Sequence, residues 1–224
     1  MGRYCTLFFD LDDTLYPRSS GLWNAIGERI NSFMIDRLEI PEENVSPIRD
    51  EYLRTYGTTL NGLVANYQID PFEYLTFVHD VQIEDYLHPD PVMQRMLASL
   101  HPSRIIFTNA SVSYAMRVLK RLGVDPYIDQ IIDIIALDFH NKPLPQAYER
   151  ALDLAQESDP KACMLIDDRV DNLLPAAALG MTTVLVGDRG GHPGVDFHIE
   201  RITELLDKVP GINQNPDFRN EDAS

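Results

Sequence analysis

The sequence predicts an α/β protein with a doubly wound parallel sheet and an inserted helical domain. Five short, continuous apolar runs are typical of strands that are buried on both faces. Helical patterns separate the later runs, and strands that alternate with helices pair in parallel through right-handed crossovers. The interval from residue 18 to residue 88 breaks this alternation, because it contains helical patterns and no central strand.

The apolar runs and their boundary residues define the elements of the core. The predicted strands are Tyr4–Asp10, Arg104–Thr108, Ile131–Ala136, Ala162–Asp167 and Thr182–Val186. The predicted helices between the later strands are Val112–Leu122, Pro145–Gln156 and Val170–Leu179. Ser111, Pro145 and Asp171 are typical residues at helix starts. Gly123 and Gly180 are typical of helix ends.

The interval that breaks the alternation predicts the domain organisation. Its helical patterns cover Gly21–Leu38, Glu42–Tyr56, Thr58–Asn66 and Pro71–Val81. We therefore expect a core domain from residues 1–17 and 89–210, and a helical domain from residues 18–88. The segment 211–224 is rich in Asn, Asp and Glu with few apolar residues, which predicts disorder.

The composition narrows the class of partner. The chain has 224 residues, 44% of them hydrophobic, and 35 acidic against 19 basic residues give a net charge of -16. This excess argues against a nucleic-acid polymer, whose backbone calls for clustered Lys and Arg. A small anionic substrate fits, because a bound metal ion can reverse the sign of the local field. A signal-peptide pattern and an apolar stretch of membrane-spanning length are both missing, so we expect a cytoplasmic protein without a membrane partner.

The cysteines and histidines are expected to be structural. Cys5 and Cys163 fall inside predicted strands, which favours buried thiols over a disulfide or a reactive thiol. The six histidines show no metal-ligand spacing to one another, and four adjoin Pro, Asp or Asn in predicted loops. We expect them at the surface.

The first strand ends in three carboxylates within four positions, those of Asp10, Asp12 and Asp13. Asp10 and Asp12 lie two residues apart, so their side chains leave extended backbone on the same side. Two such charges repel unless a cation lies between them or one carboxyl is protonated. This repulsion destabilises the fold, so the pair of carboxylates is better explained by a role in a reaction. Asp13 is expected to shape the loop by accepting backbone N–H bonds.

Polar residues also follow the other predicted strands, where ligands bind in sheets of this class. They are Thr108 and Asn109, Lys142, and Asp167 with Asp168. The carboxylates of Asp10, Asp12, Asp167 and Asp168 are expected around one point. Four such groups suit a hard divalent cation with oxygen ligands, and Mg²⁺ is the expected ion. Thr108 and Asn109 would contact phosphate oxygens, although Asn109 fits a loop-shaping role equally well. Lys142 would stabilise the negative charge of a transferred phosphoryl group.

The four segments FFDLDDTLYP, FTNA, Lys142-Pro143 and LIDDRVDN resemble, in order, the four motifs of the haloacid dehalogenase-like (HAD) hydrolase superfamily. The resemblance implies a Rossmann-like core with a helical cap at the insertion. It implies Asp10 as the nucleophile of an aspartyl-phosphate mechanism and Asp12 as its general acid and base. Mg²⁺ would be held by Asp10, the backbone carbonyl of Asp12, and Asp168, with Asp167 nearby. The phosphate-binding residues would be Leu11, Thr108, Asn109 and Lys142.

A narrower resemblance concerns the substrate. Tyr16-Pro17, Tyr56-Gly57 and Asn61-Gly62-Leu63 are, together with FTNA and LIDDRVDN, similar to the pyrimidine 5′-nucleotidase branch of the superfamily. This implies a nucleoside 5′-monophosphate as the substrate. Many superfamily members carry a second Asp at the position of Asn172, so we do not expect Asn172 to be a direct metal ligand. Residues of the insertion that could recognise the leaving group, or form an exposed helix face, are Arg54, Tyr56, Asn61 and Tyr67.

Other functions share the same core residues. A phosphatase of another small metabolite, such as a sugar phosphate or phosphoglycolate, and a phosphomutase both fit. The dehalogenase branch of the superfamily lacks an acid at the position of Asp12, which argues against carbon–halogen cleavage. A non-catalytic binding protein would be expected to have lost a nucleophile or a metal ligand. The oligomeric state is not indicated.

Overall fold

The computed structural model describes residues 3–187 and 190–212. Over these residues the strands are β1 (Thr6–Phe9), β2 (Ser103–Phe107), β3 (Gln130–Ile132), β4 (Cys163–Asp167), β5 (Thr182–Val186) and β6 (Phe197–Ile199). They form one sheet in the order β3-β2-β1-β4-β5-β6, and every pair is parallel. The chain reverses direction across the sheet at β1, which pairs with β2 on one side and β4 on the other. The predicted doubly wound α/β class is confirmed.

Both faces of the sheet are buried, which explains the continuous apolar runs. In β1, Leu7 and Phe9 belong to one hydrophobic cluster, and Phe8 between them belongs to a second cluster on the other face. All three side chains are buried. A strand covered on both faces needs apolar residues at every position, because neighbouring side chains point to opposite faces.

The helices of the described residues cover these faces and form the insertion. They are α1 (Leu22–Leu38), α2 (Glu42–Tyr56), α3 (Thr59–Tyr67), α4 (Pro71–Val78), α5 (Pro91–Ser99), α6 (Val112–Leu122), α7 (Pro145–Leu154), α8 (Val170–Ala178) and α9 (Leu205–Lys208). In the part of the chain that the structure describes, no helix is both long and apolar enough to cross a membrane.

Helices α1 to α4 form the inserted helical cap between β1 and α5, and they pack against one another. The rings of Phe33 on α1 and Tyr74 on α4 meet edge to face, with centroids 5.1 Å apart. Helices α2 and α3 approach closely at Gly62, where an added Cβ would lie 2.2 Å from the ring of Tyr52. The exact limits of the cap, residues 18–88, stay a prediction.

Helix α5 was not predicted, although its start carries a clear signal. Asp90 caps the helix by accepting hydrogen bonds from Val92 N and Met93 N, both at 3.0 Å. Pro91 occupies the first turn, where its missing N–H costs nothing. Helix α8 begins at Val170 as predicted, with Asp171 in its first turn, but Asp171 does not cap the helix because Arg169 is the N-cap residue.

The third strand is shorter than predicted. It ends at Ile132, and residues 134–139 form a turn. The cause is Asp133, whose carboxylate accepts hydrogen bonds from Ala136 N at 2.9 Å and from Val112 N at 2.7 Å. These bonds turn the chain away from the sheet. Strand β6 was missed because it has three residues, and it pairs with β5 at the edge.

Two expectations about single residues are wrong. Cys163 is buried as expected, but Cys5 lies before the start of β1 and is exposed. His79 is buried rather than at the surface, because its ring stacks on Tyr114 with centroids 4.5 Å apart.

In the segment predicted to be disordered, Gly211 accepts a backbone hydrogen bond from Arg3 at 3.4 Å. Residues 213–224 of that segment lie outside the described residues.

Candidate active site

Asp10 lies directly beyond the carboxyl end of β1, at the centre of the sheet. Its backbone N–H donates to Ile166 of the neighbouring β4 at 2.9 Å, which continues the strand pairing by one bond. Its carboxylate is oriented by two donors on opposite oxygens. Lys142 Nζ donates to Oδ1 at 2.8 Å, and Thr14 Oγ1 donates to Oδ2 at 3.1 Å.

Lys142 connects the first carboxylate to the end of β4. Its ammonium group donates to Asp10 at 2.8 Å and to Asp167 at 2.7 Å, and its side chain is only 1% exposed. Burial lowers the pKa of Lys142, but the two carboxylates outweigh this effect and raise it. The lysine is therefore a permanent positive charge inside the site.

Asn109 holds the loop that carries this lysine. Its Oδ1 accepts from Lys142 N at 2.9 Å, and its Nδ2 donates to the Lys142 carbonyl at 3.0 Å. This geometry supports the loop-shaping reading of Asn109. Thr108 is buried beside it, and its Oγ1 accepts from Ala110 N at 3.0 Å, which leaves the hydroxyl hydrogen free to donate. The side chain of Leu11 is buried in the core, so only its backbone can reach a bound phosphate.

Asp167 is saturated with hydrogen bonds. Asn172 Nδ2 lies 2.9 Å from its Oδ1 and 3.1 Å from its Oδ2, and Arg169 N donates to Oδ1 at 2.9 Å. Together with Lys142 these donors occupy both oxygens of a fully buried carboxylate. This role of Asn172 was not predicted, because an amide five residues from a carboxylate is a common pair in any sequence.

Three carboxylates converge and could hold a metal ion. One oxygen from each of Asp10, Asp167 and Asp168 lies within 4.8 Å of the others. Burial, followed by the repulsion of neighbouring carboxylates, raises the pKa of Asp168 to about 8. Burial also raises the pKa of Asp10, against the opposing effect of Lys142. A divalent cation would relieve this repulsion, and an all-oxygen donor set fits Mg²⁺.

The Asp12 side chain lies outside this cluster of ligand atoms. Its Oδ1 accepts hydrogen bonds from the hydroxyls of Tyr114, at 2.8 Å, and of Tyr16. Burial raises the pKa of Asp12 to about 6, although the two hydroxyl hydrogen bonds oppose the shift. The contribution of Tyr114 was missed, because it lies on α6 and no sequence spacing links it to Asp12.

The Asp13 carboxylate does not make the hydrogen bonds that were predicted for it. Its backbone has a φ of 60°, and its buried Oδ1 has no hydrogen-bond partner. Its Oδ2 lies 3.9 Å from Arg18 Nε. The expectation that Asp13 accepts backbone N–H bonds is therefore wrong for Oδ1, and its role in the loop comes from the left-handed turn that it adopts.

A cavity of about 1580 Å³ extends from the carboxylates to the inserted helices. The insertion contributes apolar and aromatic side chains and two guanidinium groups, from residues that include Arg18, Trp23, Ile26, Arg49, Leu53 and Tyr74. The residues proposed from sequence to recognise the leaving group, Arg54, Tyr56, Asn61 and Tyr67, are not among its lining residues. Asn61 instead donates to Phe139 O at 2.9 Å and Asn141 Oδ1 at 2.5 Å, and so ties α3 to the core.

The order of the motifs and this geometry agree with a family comparison. A sequence model of the haloacid dehalogenase-like hydrolase family matches residues 5–180. The chain belongs to this family. The match runs from the residue before β1 to the end of α8 and so includes every carboxylate described above. The HAD resemblance is confirmed, and the pyrimidine 5′-nucleotidase branch stays a prediction.

Several known proteins and solved structures resemble this chain. Phosphate metabolism protein 8 of Saccharomyces cerevisiae is 29% identical over 192 residues, which are 80% of this chain and only 60% of that protein. A glyceraldehyde 3-phosphate phosphatase of Methanocaldococcus jannaschii is 26% identical over 231 residues, 93% of this chain and 98% of that protein. The crystal structure of a HAD phosphatase from Thermococcus onnurineus has a TM-score of 0.62 at 17% identity, with 93% of this chain and 99% of that chain covered. At that identity the structural likeness shows the fold alone.

The raised pKa values predict how stability depends on pH in the absence of metal. The pKa of Asp10 rises from 3.8 to about 7 and that of Asp168 from 3.8 to about 8. The folded protein thus binds more protons than the unfolded chain, and stability is lost as pH rises through these values. We expect EDTA-treated protein to melt at a lower temperature at about pH 9 than at about pH 7, and Mg²⁺ to reduce the difference.

The chosen pH range and a control variant separate the effect of Asp10 and Asp168 on stability from that of other titrating groups. Burial lowers the pKa of His79 to about 3, which adds stability as pH rises toward its ordinary value of 6.5, so the comparison stays above that value. Asp168→Asn should weaken both the pH dependence and the response to Mg²⁺, whereas Asp36→Asn, at an exposed position on α1, should change neither. A melting temperature of the metal-free protein that rises over this window would contradict the prediction.

Proposed function

We propose that this HAD-type phosphatase is a Mg²⁺-dependent phosphomonoesterase that works through an aspartyl-phosphate on Asp10. One observation carries the proposal. The Asp10 carboxylate is fixed by Lys142 and Thr14 in the lining of the cavity. A second acid of the lining, Asp12, follows two residues later, and burial raises its pKa to about 6. A nucleophile and a proton donor are thus adjacent, and both face the same space.

The two acids divide the reaction between them. Asp10 attacks phosphorus, so that an oxygen–phosphorus bond forms while the bond from phosphorus to the ester oxygen breaks. The ester oxygen leaves with the electron pair and takes a proton from Asp12. Water then attacks the aspartyl-phosphate and gives a proton to Asp12, and the bond to Asp10 breaks. The products are an alcohol and inorganic phosphate, and both carboxyl groups return to their starting states.

The remaining polar residues stabilise charge on the phosphoryl group. Lys142 lies beside Asp10 and balances the negative charge of the transferred group. The free hydroxyl hydrogen of Thr108 can donate to a phosphate oxygen. Asn109 acts through the Lys142 loop. The backbone of Leu11, between the two acids, is a further donor for phosphate.

We propose Asp10, Asp168 and the backbone carbonyl of Asp12 as the groups that hold Mg²⁺. When bound, the ion would supply positive charge that draws the substrate phosphate toward Asp10. Asp167 is within reach of the same point, but three donor groups, Lys142 Nζ, Arg169 N and Asn172 Nδ2, already occupy its oxygens. Its proposed part is therefore to hold Lys142, with any contribution to the ion made through water.

The proposed substrate is a nucleoside 5′-monophosphate. The cavity of about 1580 Å³ exceeds the roughly 300–1,000 Å³ typical of small-ligand pockets, and Trp23 offers an aromatic face in its wall. Arg49 also lines the cavity; its Nη1 donates to Gly27 O and Asn31 Oδ1, whereas its Nε has no hydrogen-bond partner among the described residues and can donate to a carbonyl oxygen of a base. The named activity of the Methanocaldococcus jannaschii relative favours a sugar phosphate as the second candidate.

A substrate screen tests both levels of the proposal. Purified protein with Mg²⁺ should release inorganic phosphate from UMP or CMP faster than from sugar phosphates or phosphoglycolate. Trp23→Ala should raise KM for nucleotides and leave phosphoglycolate unchanged, because the smaller leaving group does not reach the indole. Phe72→Ala removes an aromatic ring that is 53% exposed on α4 and does not line the cavity, so it is the matched control.

Other outcomes of the screen point to other functions. A preference for phosphoglycolate or a sugar phosphate would overturn the nucleotide proposal and leave the mechanism in place. Phosphoryl transfer to a sugar phosphate in preference to water would identify a mutase, and metal-independent halide release from 2-haloacids would identify a dehalogenase. Failure to hydrolyse any ester despite bound Mg²⁺ would favour a binding protein.

A further inference from the structure

Two tyrosine hydroxyls converge on one oxygen of the proposed general acid. Tyr16 lies four residues after Asp12 on the same loop, and Tyr114 lies on the core helix α6. Both hydroxyls donate to Asp12 Oδ1, and the two hydroxyl oxygens are 3.2 Å apart. Both rings are buried, with 3% of Tyr16 and 1% of Tyr114 exposed. Two buried hydroxyl donors therefore share one carboxylate oxygen.

These hydrogen bonds decide which oxygen of Asp12 can carry a proton. A carboxylate oxygen has two lone pairs in its plane, and the two hydroxyls use both of those on Oδ1. A proton on Asp12 must therefore sit on Oδ2. Because both hydroxyls hold Oδ1, rotation that would exchange the two oxygens is opposed, so Oδ2 keeps one orientation. Asp12 is one of the residues that line the cavity.

The inserted helical cap packs against Tyr114 through His79. The His79 ring lies parallel to the Tyr114 ring, with centroids 4.5 Å and planes 13° apart. His79 Nδ1 is 2.9 Å from Ser111 Oγ, and Arg117 Nη1 donates to the His79 carbonyl at 3.0 Å. His79 directly follows α4, so a residue of the insertion fixes the ring that fixes Asp12.

We propose that Tyr16 and Tyr114 are positioning residues, which hold Asp12 so that Oδ2 delivers the proton to the leaving oxygen. The inference rests on the proposed function, in which Asp12 is the general acid. In this proposal both tyrosines act through Asp12, although Tyr16 also lines the cavity. Because His79 packs on Tyr114, the docked insertion supports one of the two hydroxyl donors to Asp12.

The test compares two leaving groups, because only one of them needs a proton. Nitrophenolate leaves phosphorus without a proton, whereas an alkoxide from glycerol 2-phosphate requires one. The measured quantity is kcat/KM, which covers the steps up to departure of the leaving group. Tyr114→Phe should lower kcat/KM for glycerol 2-phosphate by about 10- to 100-fold and change that for p-nitrophenyl phosphate by less than about 3-fold. Tyr16→Phe should show the same selectivity and serves if the first variant does not fold.

Two further variants make the result decisive. Tyr4→Phe removes a buried hydroxyl that has no hydrogen-bond partner and lies away from the site, so both substrates should react as with the unchanged protein. Asp12→Asn should show the same selectivity as Tyr114→Phe with a larger loss. If Asp12→Asn lowers kcat/KM equally for both substrates, the proposed acid is wrong and the inference falls with it. If Asp12→Asn is selective and the Tyr16 and Tyr114 variants are not, only the positioning inference is overturned.

Discussion

Asp10→Asn should abolish phosphate release, with a loss of at least about 10³-fold in kcat for every ester that the protein hydrolyses. An amide cannot attack phosphorus as a carboxylate does, and among the residues that the structure describes no other carboxylate bonds to both Lys142 and Thr14. The substitution keeps the size of the side chain and its contact with Thr14. The fold should therefore survive, and the circular dichroism spectrum should be unchanged. The measurement is release of inorganic phosphate from the best substrate of the screen.

Two comparisons make this result specific. Asp36→Asn makes the same chemical change at an exposed position of α1 and should leave activity unchanged. Asp12→Asn should slow the reaction and still allow the phosphoryl group to be trapped on Asp10, which mass spectrometry of quenched enzyme can detect. Full activity of Asp10→Asn, or a phosphoryl group found on another residue, would refute the assignment of the nucleophile.

The sheet and the gathering of its polar residues could be predicted because both depend on local patterns. Apolar runs identify the strands, and parallel strands bring their carboxyl ends to one edge of the sheet. This is why Asp10, Lys142 and Asp167 could be expected together, and they are linked by hydrogen bonds of 2.8 and 2.7 Å. The predicted length of β3 was wrong because a single side chain, Asp133, turns the chain through long-range contacts with α6.

The substrate side of the site could not be predicted, because it depends on how the helices of the insertion dock. Arg54, Tyr56 and Tyr67 have suitable chemistry but do not line the cavity, whereas Trp23 and Arg49 do. Helical periodicity identifies an amphipathic face without identifying what that face meets. The same limit applies to Tyr114, which meets Asp12 only because α6 packs beside the first loop.

Lys142→Met should cause the largest loss of stability of any substitution in the site. The lysine is 1% exposed and is the positive partner of two buried carboxylates, those of Asp10 and Asp167. Its removal leaves those charges without a counter-charge, which typically costs about 3–5 kcal/mol in the free energy of unfolding. Methionine keeps most of the side-chain volume, so the loss reports charge rather than a cavity. Urea unfolding of the metal-free protein at about pH 8 measures it.

Three measurements distinguish a loss of charge balance from a packing defect. The loss should shrink at about pH 5.5, because Asp10 without its ammonium partner binds a proton more readily and the buried charge disappears. Lys142→Met combined with Asp167→Asn should be more stable than Lys142→Met alone, since one unpaired charge is removed. Lys161→Met, at an exposed position, should cost less than about 0.5 kcal/mol. A loss for Lys142→Met as small as that of Lys161→Met, or one that grows toward acid pH, would show that the lysine does not balance these carboxylates.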